Sequence, residues 1–166
     1  MNELIHYTSN KKWNQIKRVG YLLPFSSPQN VREDISDRVR RIVGYKKYVV
    51  GIQAPPCDNW IEYGLINYLL NHTTGEVKLR VPILEPNNCF VRDHAHLSPK
   101  GTEERYGINL FKLAWEKEIS SKDKRLLECI EGYYESTVKL EEYDGGYNVP
   151  EIWLDQITPI NQLNQL

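Results

Sequence analysis

Apolar residues along this chain recur with two periods, one of two residues and one of three to four, and these mark out its elements. Leu4-Ile5-His6-Tyr7 reads as a short strand that stops at Thr8-Ser9. Ser9 is a good N-cap for a helix over about residues 10 to 19, where Trp13, Ile16 and Val19 fall three apart and Gly20 sits at C′. The segment from Tyr21 to Pro28 holds two prolines and reads as a loop. In residues 29 to 45, Ile35, Val39 and Ile42 can line one face of a short helix while Arg38, Arg40 and Arg41 stay in water.

Further on, Tyr48-Val49-Val50-Gly51-Ile52 is β-branched and short, a buried strand closed by Pro55-Pro56. Asp58 or Asn59 caps a helix running to about Asn71, with Trp60, Tyr63, Ile66, Leu69 and Leu70 as its stripe. Val77, Leu79, Val81 and Ile83 alternate with Lys78, Arg80 and Pro82, the period of a half-buried strand, and Cys89 to Arg92 reads as another. Helical spacing returns from Thr102 to Ile119, with Leu110, Phe111, Ala114 and Trp115 inward. A further helix begins at Ser121 or Asp123 and carries Leu126, Leu127, Ile130 and Tyr134. Two last strands, Thr137 to Tyr143 and Pro150 to Leu154, are joined by Asp144-Gly145-Gly146, whose glycines supply positive φ. Strands and helices do not alternate regularly, which predicts an α+β layer fold rather than a parallel doubly wound sheet.

At 166 residues the chain fits one domain, residues 1–166, and needs no staple. Cys57, Cys89 and Cys129 contain no Cys-x-x-Cys pair and read as small core residues in a reducing, cytoplasmic setting. No apolar run approaches the roughly 20 residues of a membrane span, so no membrane partner is expected. The first residues have neither a basic n-region nor a long apolar h-region, so secretion is not expected either. A formal net charge of −1 argues against coating nucleic acid by charge alone, while leaving room for a local basic patch. Eleven Tyr and four Trp against three Phe supply many ring faces with polar edges, suited to stacked ligands as well as to packing.

Three constellations carry candidate chemistry. His6-Tyr7-Thr8-Ser9, at a strand end just before a capped helix, places an imidazole toward whatever cleft the strand end lines; a histidine satisfied by the backbone is the plainer reading. Near the other end, Pro150-Glu151-Ile152-Trp153-Leu154 puts a carboxylate at the start of an apolar strand, where it is a solvated strand-end charge or a catalytic group. Between them, Arg92-Asp93-His94-Ala95-His96 holds two histidines and an aspartate. On a strand, His-x-His puts both rings on one face, so the segment reads as a metal site, a loop contacting a ligand, or a surface turn. Without a further ligand cluster no metal is assigned. Glu141 and Glu142 alternate faces on their strand, which disfavours a glycosidase carboxylate pair.

The opening string His-Tyr-Thr-Ser, followed by Trp13, Ile16, Gly20, Leu22 and Pro24, resembles the start of the ADP-ribosyltransferase superfamily. The likeness is to the DarT-type nucleic-acid ADP-ribosyltransferases in particular. The Pro150-Glu151 strand and Ile157-Thr158-Pro159 resemble the family's last strand. The resemblance implies an ADP-ribosyltransferase-like fold, with two small β-sheets forming an NAD cleft and helices flanking it. It implies that His6, supported by Tyr7 and Thr8, holds a ribose hydroxyl of the adenosine half of NAD. Arg32, Arg38, Arg40 or Arg41, after the first helix, would meet the diphosphate, and Tyr48, Tyr63 or Tyr134 would stack on the nicotinamide, Arg38, Arg41, Tyr48 and Tyr63 being taken forward. Glu151 would be catalytic, because cleaving the nicotinamide bond creates an oxocarbenium-like cation that a fixed carboxylate stabilises.

The expected activity is therefore transfer of ADP-ribose from NAD, as co-substrate, to a DNA, RNA or protein acceptor with release of nicotinamide. It requires His6 and Glu151 to meet across one nucleotide-sized groove. An NAD-consuming RNA 2′-phosphotransferase and a catalytically silent nucleotide-binding module are the alternatives.

Overall fold

Ser9 both ends the first strand and starts the first helix, its hydroxyl accepting from Lys12 N–H at 3.2 Å. A computed structural model describes residues 1–25, 47–54, 62–63, 76–108 and 124–166. Among these, β1 is Glu3–Thr8, α1 Asn10–Val19, β2 Tyr21–Leu22, β3 Val49–Gln53 and β4 Val77–Pro82. They are followed by β5 Cys89–Asp93, α2 Pro99–Tyr106, α3 Lys124–Glu135, β6 Val138–Lys139, β7 Pro150–Leu154, β8 Thr158–Pro159 and β9 Asn164–Gln165. Gly20 takes φ +86°, the left-handed conformation required where α1 turns into β2.

Seven strands form one antiparallel sheet in the order β6-β5-β7-β3-β1-β4-β9, and β2 pairs with β8 in a separate two-stranded ladder. The protein is mixed α+β, as the pattern predicts. The pair of small sheets is replaced by one large sheet and a short ladder. Alternation along the strands sorts residues to two faces. Leu4, Val49, Leu79, Val81, Ile152 and Leu154 pack on one face, under Trp13 of α1. Tyr48, Phe90 and Trp153 pack on the other against Tyr133 and Tyr134 of α3. On that same second face Ile5, Tyr7 and Ile52 gather with Tyr63, Ala95 and Val149.

Four expectations differ from the structure. The helix expected over 102–119 instead starts at Pro99, behind the cap of Ser98, and stops at Tyr106 because Gly107 turns left-handed at φ +67°. Leu110, Phe111, Ala114 and Trp115 lie outside the described residues. The strand expected over 137–143 is only Val138–Lys139, and Leu140–Glu142 is a 3-10 turn, so Glu141 and Glu142 do not alternate on a strand. Asp144-Gly145-Gly146 does not close a hairpin, since β6 and β7 both pair with β5, one along each edge. Tyr21–Leu22, expected in a loop, pairs with Thr158–Pro159. The helices expected near 35–42 and 58–71 fall on residues that are mostly or wholly outside the described set. No described helix is long and apolar enough to cross a membrane.

Candidate functional site

The register decides where the two principal residues stand. Ile5 pairs with Ile52, and Ile52 pairs with Glu151, so these three side chains share a face. His6 is the next residue after Ile5, in phase with Leu4, and therefore lies on the opposite face. His6 and Thr8 belong to the α1 side, while Glu151, Tyr7, Tyr48 and Tyr63 belong to the α3 side. The sequence expectation of one groove holding both His6 and Glu151 is not met. The physical reason is the two-residue period of the pleat: an odd step along a strand reverses the face. Arg38 and Arg41 lie outside the described residues.

On the α1 side, His6 is 4% exposed and lines a cavity of about 400 Å³ with Thr8, Lys12, Arg18, Leu22 and Phe25 among its walls. Backbone pairing between β1 and β3 is registered only at Leu4 and Ile5, and beyond it the His6 ring reaches across to the Val50 carbonyl, Nδ1 to O 2.7 Å. The neighbouring position on β3 is Gly51, where a side chain would meet Leu4 and the Ile5 carbonyl. A carbonyl oxygen only accepts, so Nδ1 carries the proton and Nε2 presents a lone pair. Burial, with a smaller opposing effect from Val50 and a contribution from Lys12, lowers the His6 pKa and keeps the ring neutral. Among the described residues nothing donates to Nε2, although it is sealed from solvent. Phe25 meets the ring edge-on at 6.0 Å, and the Lys12 ammonium sits 4.6 Å from the Phe25 centroid. Among the described residues, Lys12 and Arg18 are the charged residues of the cavity wall, and both are cationic.

On the α3 side, Glu151 is buried and accepts from three donors. Tyr133 O–H and Trp153 Nε1–H, the latter at 2.6 Å, reach Oε1, and His94 Nδ1 reaches Oε2 at 2.8 Å. Burial works against the charged form, but the nearby His94 and the hydrogen bonds from His94, Tyr133 and Trp153 prevail, and the carboxyl pKa falls well below its ordinary value. Burial and the Glu151 charge push the Tyr133 phenol up, so it remains a donor.

Tyr48 and Tyr63, expected as ring platforms, and Tyr7, expected beside His6, are engaged in other contacts. Tyr48 packs edge-on to Phe90 at 5.0 Å, and burial with the charge of Asp155 raises its pKa to about 12. Tyr63 donates to Glu104 at 3.1 Å, and Tyr7 lies 5.9 Å from the Lys78 ammonium.

The segment Arg92-Asp93-His94-Ala95-His96 supplies what sequence reasoning missed. Its histidines occupy a 3-10 turn rather than a strand, and they part company: His94 turns to Glu151, His96 to the Tyr106 hydroxyl at 2.6 Å. Among the described residues no group of three candidate ligands for a metal assembles. The two histidines gave a signal in the sequence, but the partner of His94 lies 57 positions away, beyond any local pattern. With both sites described, comparison with family models, with curated proteins and with solved structures finds no match, and the function is argued from the chain's own geometry.

Proposed function

We propose that this chain is an NAD-binding domain of the ADP-ribosyltransferase type, holding the adenosine half of NAD in the cavity between β1 and α1, with binding rather than turnover as the primary role. One observation carries the reading. Among the described residues, His6 Nε2 is a buried acceptor with no donor, on a side chain that lines a cavity whose charged wall residues are Lys12 and Arg18. A buried acceptor left without a donor costs about 1–3 kcal/mol, and a ribose hydroxyl is a donor of the right kind to relieve it. The cations favour a phosphate-bearing ligand. The volume falls in the range of small-molecule sites, roughly 300–1,000 Å³.

Transfer of ADP-ribose is the second reading, favoured by the fixed, ionised carboxylate of Glu151 on the other face. The form expected from the sequence, with His6 and Glu151 in one groove, falls because a sheet separates them, and what remains is a transferase working from the face of Glu151 alone. Calorimetry with NAD, ADP-ribose and AMP, beside an assay of nicotinamide release with DNA, RNA or protein added, distinguishes the two. Binding that weakens by about tenfold or more in His6→Leu, with no nicotinamide released, supports the binding module. Release that disappears in a folded Glu151→Gln variant supports the transferase. Absence of binding by any of the three ligands overturns the nucleotide reading.

A further inference from the structure

Both oxygens of the Glu151 carboxylate accept from protein groups, Oε1 from Tyr133 and Trp153 and Oε2 from His94. The His94 ring uses Nδ1 for Glu151; among the described residues no hydrogen bond reaches Nε2, and the side chain is 18% exposed. Its place is fixed from several directions. The His94 N–H donates to the Val149 carbonyl at 2.8 Å. Asp93 Oδ1 accepts from Ala95 N–H at 3.1 Å and from Val149 N–H at 3.0 Å, while Arg105 holds Oδ2 at 2.8 Å. The imidazole rests edge-on against Tyr133, with 5.8 Å between ring centroids.

We propose that Glu151 and His94 form a carboxylate–imidazole dyad in which Glu151 is a positioning residue and His94 Nε2 accepts the proton of an attacking hydroxyl. An ionised carboxylate can only accept, so neutral His94 carries its hydrogen on Nδ1 and its lone pair on Nε2. When Nε2 gains a proton, the imidazolium forms beside a charge already in place and no group has to reorganise. The inference rests on the transfer reading above, with NAD approaching the α3 face and not the cavity between β1 and α1. The oxygen of an alcohol, or of water as the simplest acceptor, bonds to the ribose carbon of NAD. The bond from that carbon to nicotinamide breaks, and nicotinamide leaves neutral with the electron pair. The hydroxyl proton passes to Nε2 and then to solvent.

Glu151→Gln reverses the arrangement in a defined way. Tyr133 and Trp153 donate to the Oε1 side and so hold the amide oxygen there, which turns the amide N–H₂ toward Nδ1. His94 must then accept at Nδ1 and keep its hydrogen on Nε2, the wrong tautomer for a base. Diethyl pyrocarbonate, which acylates an unprotonated imidazole nitrogen, reads this directly. With modification mapped by mass spectrometry, His94 of the wild-type chain is expected to react about tenfold or more faster than His94 of Glu151→Gln. Equal rates overturn the dyad. So does nitrogen-15 NMR of the wild-type chain showing hydrogen on Nε2 of neutral His94, a measurement independent of how any variant folds. In the nicotinamide assay, His94→Ala and Glu151→Gln are expected to lower kcat on the order of 10²–10⁴-fold with little change in KM. Release untouched in His94→Ala overturns the role of His94. Selective acylation without release by the wild-type chain overturns the transfer reading alone and leaves the dyad standing.

Discussion

The Arg92 guanidinium lies where water does not reach, at 0% exposure. Its guanidinium carbon lies 4.5 Å from the Trp153 ring centroid, 4.8 Å from Tyr134, 5.0 Å from Phe90 and 5.1 Å from Tyr133. Nε donates to Thr137 at 3.0 Å, and Nη1 makes a long contact of 3.5 Å with the Tyr133 hydroxyl. That hydroxyl donates in turn to Glu151, directly across the strand pair from Arg92, so the cation and the carboxylate compensate each other through one phenol. A planar, weakly hydrated guanidinium suits such a box of rings, and a compact ammonium does not. Arg92→Lys is therefore expected to destabilise the fold by about 2 kcal/mol or more despite conserving charge. Urea denaturation measures it, and a wild-type midpoint in the variant would refute the account.

At the scale of elements, the junction of β1 with β3 is the tightest constraint. A methyl group on Gly51 would lie 2.4 Å from Leu4 Cδ1 and 2.6 Å from the Ile5 carbonyl oxygen. The side chain can rotate away, but the carbonyl belongs to the sheet and cannot. Gly51→Ala is expected to force the two strands apart, costing about 1–3 kcal/mol. It should also weaken the His6 contact with Val50, and with it any nucleotide binding in the adjoining cavity. Thermal unfolding together with ligand calorimetry checks both effects, and a variant as stable as the parent would show that the strands tolerate the separation. The ends of α1 and α2 follow local chemistry: Ser9 and Ser98 cap them, and Gly20 and Gly107 end them in the left-handed conformation.

For the whole molecule, acid is the sensitive direction. Burial lowers the pKa of His6, and burial together with the Arg105 charge lowers that of His96 to about 4. Below the ordinary value of 6.5 the unfolded chain takes up protons that these folded sites refuse, so stability present above 6.5 is lost as pH falls toward 4. Glu151 acts in a lower window: its carboxyl, displaced from 4.5 to about 2, contributes stability above 4.5 that is lost as pH falls to about 2. Both effects have the same sign. The urea midpoint is expected to decline steadily from pH 7 to pH 4, and less steeply in His96→Gln. A midpoint that stays level over that range would show that the histidines are not held neutral.

Local chemistry, readable in the residues themselves, determined the first strand, the cap at Ser9, the turn at Gly20, the apolar strands at 49–53, 77–82, 89–93 and 150–154, and the α+β class. Caps, positive φ and the two-residue period depend on neighbours in the chain, which is why they were legible. Tertiary structure alone decided that β7 lies between β3 and β5, that an odd step separates the face of His6 from the face of Glu151, and that His94 meets a carboxylate 57 positions away. Strand order and register are set by how non-local apolar faces pack, and no local pattern encodes which strands become neighbours.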